Sequence, residues 1–261
     1  MADDSISGKR ALVTGASRGI GRATALALAQ AGVDVALAAR GTDELDQVAA
    51  EIAGLGRNAA VISCDVSDVT QVQRMVESAH TQLGGIDILV NNAGSALSAK
   101  FLGHPDEIWH RLLALNLTGV YYVTKAVAPE MVERGWGRII TVASVAGKVG
   151  SRYTAAYSAS KHGVLGLMKS VAIELATTGV TVNSVCPGYV DTPMTDAAIA
   201  NMIARTGMSE EDARAYLTST NPQRRLVTPD EVARVVLFLA QAASGGITGQ
   251  AINVDGGAVM W

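Results

Sequence analysis

Short apolar runs alternate with longer stretches of helical periodicity along this 261-residue chain. The apolar runs predict strands over residues 11–14, 33–38, 60–64, 86–91, 138–142, 180–186 and 250–254. Between them, apolar positions at helical spacing predict helices over residues 19–31, 43–53, 69–83, 112–134 and 155–176. Several of the strands are continuously apolar rather than alternating, as parallel strands buried on both faces are. Strand–helix alternation with short connections therefore predicts an α/β fold built on a doubly wound parallel sheet.

No Pro- or Ser-rich linker, repeat or low-complexity tract interrupts the pattern, so one domain over residues 1–261 is expected. Residues 191–226 stand apart: they are polar, carry Met194, Met202 and Met208, and lack strand signals. They follow a predicted strand end, where α/β folds bind their ligands. The segment reads as a helical substrate lid or as an incidental helical insertion. As a lid, its methionines offer adaptable apolar surface to a bulky ketone, or else pack the lid against the body.

Composition narrows the class. Hydrophobic content of 49% against 17% charge suffices for a large core and excludes a disordered chain. A net charge of −3 gives no broad attraction to nucleic acid or to an anionic membrane. No apolar stretch reaches the roughly 18 residues a membrane span needs, and the opening MADDSISGKR is unlike a targeting peptide. A soluble, cytoplasmic protein without nucleic-acid or membrane partners is the expectation. Cys64 and Cys186 are 122 positions apart and read as buried, reduced thiols, and the 4 histidines form no metal motif, so no metal is expected.

The first predicted strand runs into TGASRGIG, residues 14–21. Gly15, Gly19 and Gly21 allow a tight turn and let backbone N–H groups approach a pyrophosphate at a helix N-terminus, as in a Rossmann fold. The second strand ends Ala38-Ala39-Arg40-Gly41 with no carboxylate at its tip to hold a ribose 2′-hydroxyl, and Asp34 lies too early to serve. Arg40 and Arg18 instead favour a 2′-phosphate, and so NADP(H), unless both are merely solvent-facing. Asp65 could accept from an adenine amino group, and NNAG, residues 91–94, could bring backbone beside the cofactor; either is as readily an ordinary turn.

YSASK, residues 157–161, sets Tyr157 and Lys161 on one helical face about 5–6 Å apart at Cβ. Such a pair is a proton-transfer device in which the cation lowers the phenol pKa, or a lysine packed over a half-buried tyrosine. His162, about 100° further round the helix, should face away.

TGASRGIG, NNAG, Asn116 in NLTG, Ser144 in VASVAG, Tyr157-x-x-x-Lys161 and Pro187-Gly188 occur in that order. The set, which covers essentially the whole chain, resembles the short-chain dehydrogenase/reductases. Within them it looks most like 3-oxoacyl-thioester reductases, polyketide ketoreductases and 3-hydroxyacyl dehydrogenases. The resemblance implies that Tyr157 is the general acid and that Lys161 holds the nicotinamide ribose and depresses the phenol. It implies that Ser144 polarises the substrate oxygen and that Asn116 holds a water joining Lys161 to solvent. It further implies cofactor contacts from Ser17, Ile20, Val66, Asn92, Ala93, Gly94, Pro187, Gly188, Val190 and Thr192. Two departures bear on substrate: Ser95-Ala96-Leu97 replaces a Pro-Gly-Gly-like turn, and Ala176-Thr177-Thr178-Gly179 lacks a basic residue that would suit a carrier protein. An NAD-dependent dehydrogenase running towards oxidation is the alternative. The apolar terminal strand, with Val259, Met260 and Trp261 after it, and the resemblance point together to a homotetramer.

Overall fold

The computed structural model describes residues 5–261. Seven strands form one parallel sheet: β1 (Arg10–Thr14), β2 (Asp34–Ala39), β3 (Ala59–Ser63), β4 (Ile88–Asn91), β5 (Gly137–Val142), β6 (Val180–Pro187) and β7 (Ala251–Val254). Their order is β3-β2-β1-β4-β5-β6-β7, so the winding reverses between β1 and β4. The predicted sheet is observed, with small shifts at the ends. β2 and β7 each start one residue later than predicted, and the predicted 86–91 strand is ordered as β4 from Ile88.

Alternate residues of each strand feed two cores. Leu12, Leu89, Ile139 and Val182 pack on one face with α3 (Val69–Leu83), α5 (Gly119–Glu133) and α6 (Ala155–Leu175). Val13, Val90, Ile140 and Val185 pack on the other with α1 (Gly19–Gln30), α2 (Asp43–Gly54) and α9 (Pro229–Ala240). Both faces are thus covered, which is why the strand sequences read as continuous apolar runs.

The predicted 112–134 helix needs correction. It begins earlier, as α4 (Asp106–Leu113), and passes through one π turn, Ala114–Thr118, into α5. Acidic Asp106 and Glu107 in the first turn and His110 and Arg111 in the last suit the α4 dipole. Residues 191–226 fold into two short helices, α7 (Pro193–Thr206) and α8 (Glu210–Ser219). Met202 and Met208 join Ile199, Ala213 and Leu217 in a small core of the segment's own, while Met194 stays exposed. Of the two roles open to these methionines, packing accounts for Met202 and Met208.

Candidate active site

The crevice opens at the C-terminal ends of β1 and β4, where the winding reverses and α/β sheets bind ligands. Gly15 and Gly19 take φ of +65° and +54°, which glycine holds without strain. Gly21 is needed for space: a Cβ there would lie 2.0 Å from the Gly15 carbonyl oxygen. Two polar side chains fix this turn to the NNAG loop. Thr14 Oγ1 accepts from Asn92 N (3.0 Å) and Ala93 N (3.1 Å). Asn92 Nδ2 donates to the carbonyls of Thr14 (3.0 Å) and Gly15 (2.9 Å). Thr192, at the N-cap of α7, lies against Gly19, so the 191–226 segment starts at the glycine turn.

Arg18 and Arg40 are exposed, and neither guanidinium has an ion pair or hydrogen bond among the described residues. Asp34 is spoken for at the opposite end of β2, accepting from Asn58 N (2.8 Å) and pairing with Arg57 (2.7 Å). Asp65 follows β3; its Oδ1 accepts from Ser67 N and Oγ (2.9 and 2.6 Å), leaving Oδ2 available. The Ser67 hydrogen bonds, aided by the charge of Arg40, hold its carboxyl below the usual range.

The catalytic candidates converge just below. Lys161 Nζ stands 5.9 Å from the centre of the Tyr157 ring and donates to the Val142 carbonyl at 3.0 Å. Ser144 caps the 3-10 turn Val145–Gly147, its Oγ accepting from Ala146 N at 3.1 Å, and lies near enough to the Tyr157 hydroxyl to lower its pKa. Asn116 sits in the π turn, buried, with Nδ2 donating to Ser95 O (2.9 Å) and Ser160 Oγ (3.1 Å) and Oδ1 accepting from Ser95 N (2.9 Å). Residues 9–202 match the family described as short chain dehydrogenase. The chain belongs to the short-chain dehydrogenase family.

As an oxidoreductase of that family it uses a nicotinamide cofactor. It is 43% identical over 253 residues to a 3-oxoacyl-acyl-carrier-protein reductase of Synechocystis, covering 96% of this chain and 97% of that protein. It is 39% identical over 252 residues to a D-beta-hydroxybutyrate dehydrogenase of Rhizobium meliloti, covering 95% and 98%. A crystal structure of an actinorhodin polyketide ketoreductase variant with NADPH superposes with a TM-score of 0.94 at 41% identity, over 100% of both chains.

The electrostatics of this short-chain dehydrogenase differ from expectation in one respect. Burial, not Lys161, dominates the Tyr157 phenol and pushes its pKa up, and the nearby Ser144 side chain works against that rise. Burial also pulls Lys161 down to about 8. A desolvated ammonium is itself disfavoured, so it is a weaker source of positive potential than spacing suggests. The Asn116 side chain spends both amide hydrogens on Ser95 and Ser160, so any water it holds must meet another of its atoms. His162 is exposed, as expected, with Nδ1 2.9 Å from the Ser158 carbonyl.

The remaining dehydrogenase positions line up around this centre. Ser17 and Ile20 sit in the glycine turn and the first turn of α1, and Ile20 packs on the core. Val66 is buried, its side chain against Gly119. Gly94 faces Asn116 Oδ1 and Lys161 Nζ. Pro187 ends β6, Gly188 N donates to Val254 O (3.1 Å), and Val190 is buried and bridges Val227. Tyr189 and Cys186, both electrostatic neighbours of Tyr157, were not marked as site residues by the sequence. Only their places on either side of Pro187-Gly188, Cys186 within the end of β6 and Tyr189 just after it, could have suggested them. Both cysteines are free and buried. Among the described residues no group of three or more His, Cys, Asp or Glu side chains could hold a metal, and no helix is long and apolar enough to cross a membrane.

Proposed function

We propose that this enzyme is an NADPH-dependent ketoreductase that reduces a 3-oxoacyl thioester, polyketide-like or other bulky ketone to a secondary alcohol in the cytoplasm. The observation that carries the cofactor choice is the pair of exposed guanidiniums, Arg18 and Arg40, at the glycine turn and β2 end: neither makes a salt bridge or hydrogen bond among the described residues, the β2 tip itself carries no carboxylate, and Asp65 acts on Arg40 only through space. Guanidinium favours a phosphate dianion through charge-assisted hydrogen bonds, while a ribose hydroxyl calls for an acid. The glycine turn at the start of α1 fits a pyrophosphate, and its shape depends on glycine, since side chains at Gly15 or Gly21 would collide with the NNAG loop or with the turn's own backbone.

A bound reduced nicotinamide supplies the hydride. Tyr157 delivers the proton to the carbonyl oxygen as the carbonyl carbon gains that hydride, giving the alcohol and a phenolate. The raised phenol pKa keeps the resting acid protonated at neutral pH, which suits reduction. Ser144 holds the same oxygen, and Lys161, fixed by Val142, orients the ribose and stabilises the phenolate. Asn116 braces the π turn against Ser95 and, through Ser160, against the Tyr157 carbonyl (2.7 Å).

A second reading is a NAD-dependent dehydrogenase oxidising a 3-hydroxyacyl compound or secondary alcohol, favoured by the relatives named as D-beta-hydroxybutyrate dehydrogenases. Absorbance at 340 nm with NADPH and NADH, against 3-oxoacyl thioesters and bulky ketones, separates the two. Turnover with NADPH at least tenfold better than with NADH is expected; a preference for NADH would overturn the first reading. The enzyme is further proposed to be a homotetramer. Tyr121 on α5, Ile173 on α6, Phe238 on α9 and the tail residues Met260 and Trp261 are exposed, and β7 is an unpaired sheet edge. Light scattering should then give about 108 kDa, four times 27.0 kDa; an active 27 kDa particle would refute it.

A further inference from the structure

Tyr153 is one of two non-glycine residues with positive φ among the described residues, at +67°. Glycine would hold that conformation without penalty, whereas an aromatic residue there is strained. The neighbouring bonds over-determine it. Thr154 Oγ1 donates to Ser151 O (3.0 Å) and is 3.0 Å from both Ser151 Oγ and Ser158 Oγ. The Tyr153 carbonyl accepts from Ala99 N at 2.8 Å. That last bond fastens the entrance of the catalytic helix to the loop that follows Gly94.

The loop is pinned on two other sides. Ser95 is gripped by Asn116, and Ser98 Oγ accepts from Asn201 Nδ2 of helix α7 at 2.9 Å. Residues 95–99 are therefore a fixed wall joining the π turn, α7 and the segment before Tyr157. Against this rigid wall, Tyr153 is 53% exposed and its hydroxyl makes no hydrogen bond among the described residues. Phe101 and Leu102, two and three residues beyond Ala99, are 77% and 89% exposed. Backbone strain held in this way by its surroundings clusters at active sites and ligand clamps. Nothing inside the described chain uses this ring.

We propose that Tyr153 is a specificity-determining residue: its ring, displayed by the strained turn, receives the apolar or aromatic body of a bulky ketone whose carbonyl sits at Tyr157. This deepens, and rests on, the ketoreductase reading. The ring adds contact for a large substrate and none for a small one, so it sets selectivity rather than the chemical step.

Tyr153→Gly removes the ring and keeps the carbonyl bond in a residue that favours the same φ. Tyr153→Phe keeps the ring. The thermal midpoint of Tyr153→Gly should be unchanged or raised. kcat/KM for methyl acetoacetate should stay within about twofold, while that for α-tetralone falls at least tenfold through KM. Tyr153→Phe should retain wild-type selectivity. Calorimetric binding of α-tetralone to the NADP+-loaded protein should weaken in Tyr153→Gly with NADP+ affinity unaltered. Equal tetralone affinity in wild type and Tyr153→Gly, or equal losses for both ketones, would overturn the assignment. Failure of the wild-type protein to turn over any ketone would instead count against the ketoreductase reading, and the binding comparison would still decide the role of Tyr153.

Discussion

Replacing Gly21 by alanine tests whether the glycine turn is a fixed cradle or merely a flexible connection. The added methyl would sit 2.0 Å from the Gly15 carbonyl oxygen and 2.5 Å from Asn92 Nδ2. An ordinary contact needs about 3.4 Å, so the two backbones must part by roughly 1 Å or more, in the range where overpacking costs. Gly15 has no slack in the opposite direction: a methyl on it would already lie 2.9 Å from Ala93 Cα. The shift therefore strains or breaks the 2.9 Å bond from Asn92 to Gly15 O, the bond that ties the turn to the NNAG loop. Overpacking costs about 1–3 kcal/mol and a lost hydrogen bond about 1 kcal/mol. Against this, alanine in α1 returns about 1 kcal/mol of helix propensity. A net loss of about 1–3 kcal/mol follows, to be divided between stability and the cradle's shape. At roughly 1.4 kcal/mol per tenfold, the part falling on the cradle should raise the NADPH Kd tenfold or more. Fluorescence titration of the cofactor and thermal melting measure the two shares. Gly54→Ala is the control, because nothing lies within 4 Å of its added methyl, and it should melt no lower than wild type. If Gly21→Ala binds NADPH with wild-type affinity and melts like the Gly54→Ala control, the cradle argument is wrong.

Tyr157→Phe should lower kcat by several orders of magnitude while NADPH still binds, because the acid goes and the pocket stays; near-normal turnover would end the proposed proton step. Arg40→Ala should raise the KM for NADPH at least tenfold, the equivalent of losing one charge-assisted contact of about 1.5–3 kcal/mol. The KM for NADH should hardly move, and equal losses for both cofactors would clear Arg40 of reading the phosphate. For pH, the buried Lys161 loses its proton around 8, below its usual value, and the phenol of Tyr157 keeps its proton longer. The sign follows: kcat/KM for ketone reduction should be level below that pH and fall as pH rises through about 8. A profile flat to well above pH 9 would show that a charged Lys161 is not required.

The sheet was legible because β1, β2, β4, β5 and β6 are buried on both faces, which writes largely apolar runs into the sequence. α4 was not. Its eight residues do set Ile108, Trp109, Leu112 and Leu113 on one face, but the run is shorter than the roughly 11-residue window in which such a pattern is read, and only Leu112 is buried. The π turn at Ala114–Thr118 adds a residue to one turn of an otherwise regular pattern, and such an insertion barely disturbs a hydrophobic count. At the site, Tyr157, Lys161, Ser144 and the glycines were readable because a motif fixes their spacing. Tyr189, Cys186 and the Ala99–Tyr153 bond come together only through the tertiary fold. Spacing also gave the approach of Lys161 to Tyr157 but not its depth. Burial reverses the expected direction of the phenol shift.

That depth separates Lys161 from cations that hold the fold. Arg10 is tied to Asp87 by two hydrogen bonds of 2.8 and 3.0 Å, Arg57 pairs with Asp34, and Arg225 grips Glu231 through two nitrogens. Even Arg138, buried without an acid, donates to the carbonyls of Gly137, Gly179 and Gln241 and lies over the Trp136 ring. Lys161 is equally buried, yet it donates to one carbonyl and no carboxylate perturbs it. Only the thiol of Cys186 acts on it favourably, and burial raises the pKa of that thiol, so it is neutral at pH 7. A buried ammonium with so little compensation is a cost that a purely structural lysine would avoid, and such costs concentrate at functional sites. Arg18 and Arg40, at the adenine end of the same crevice, form no salt bridge among the described residues, and Asp65 acts on Arg40 only through space. The crevice thus carries three cations against one nearby carboxylate, Asp65, and a ligand bearing a pyrophosphate, a 2′-phosphate and ribose hydroxyls would supply the missing partners.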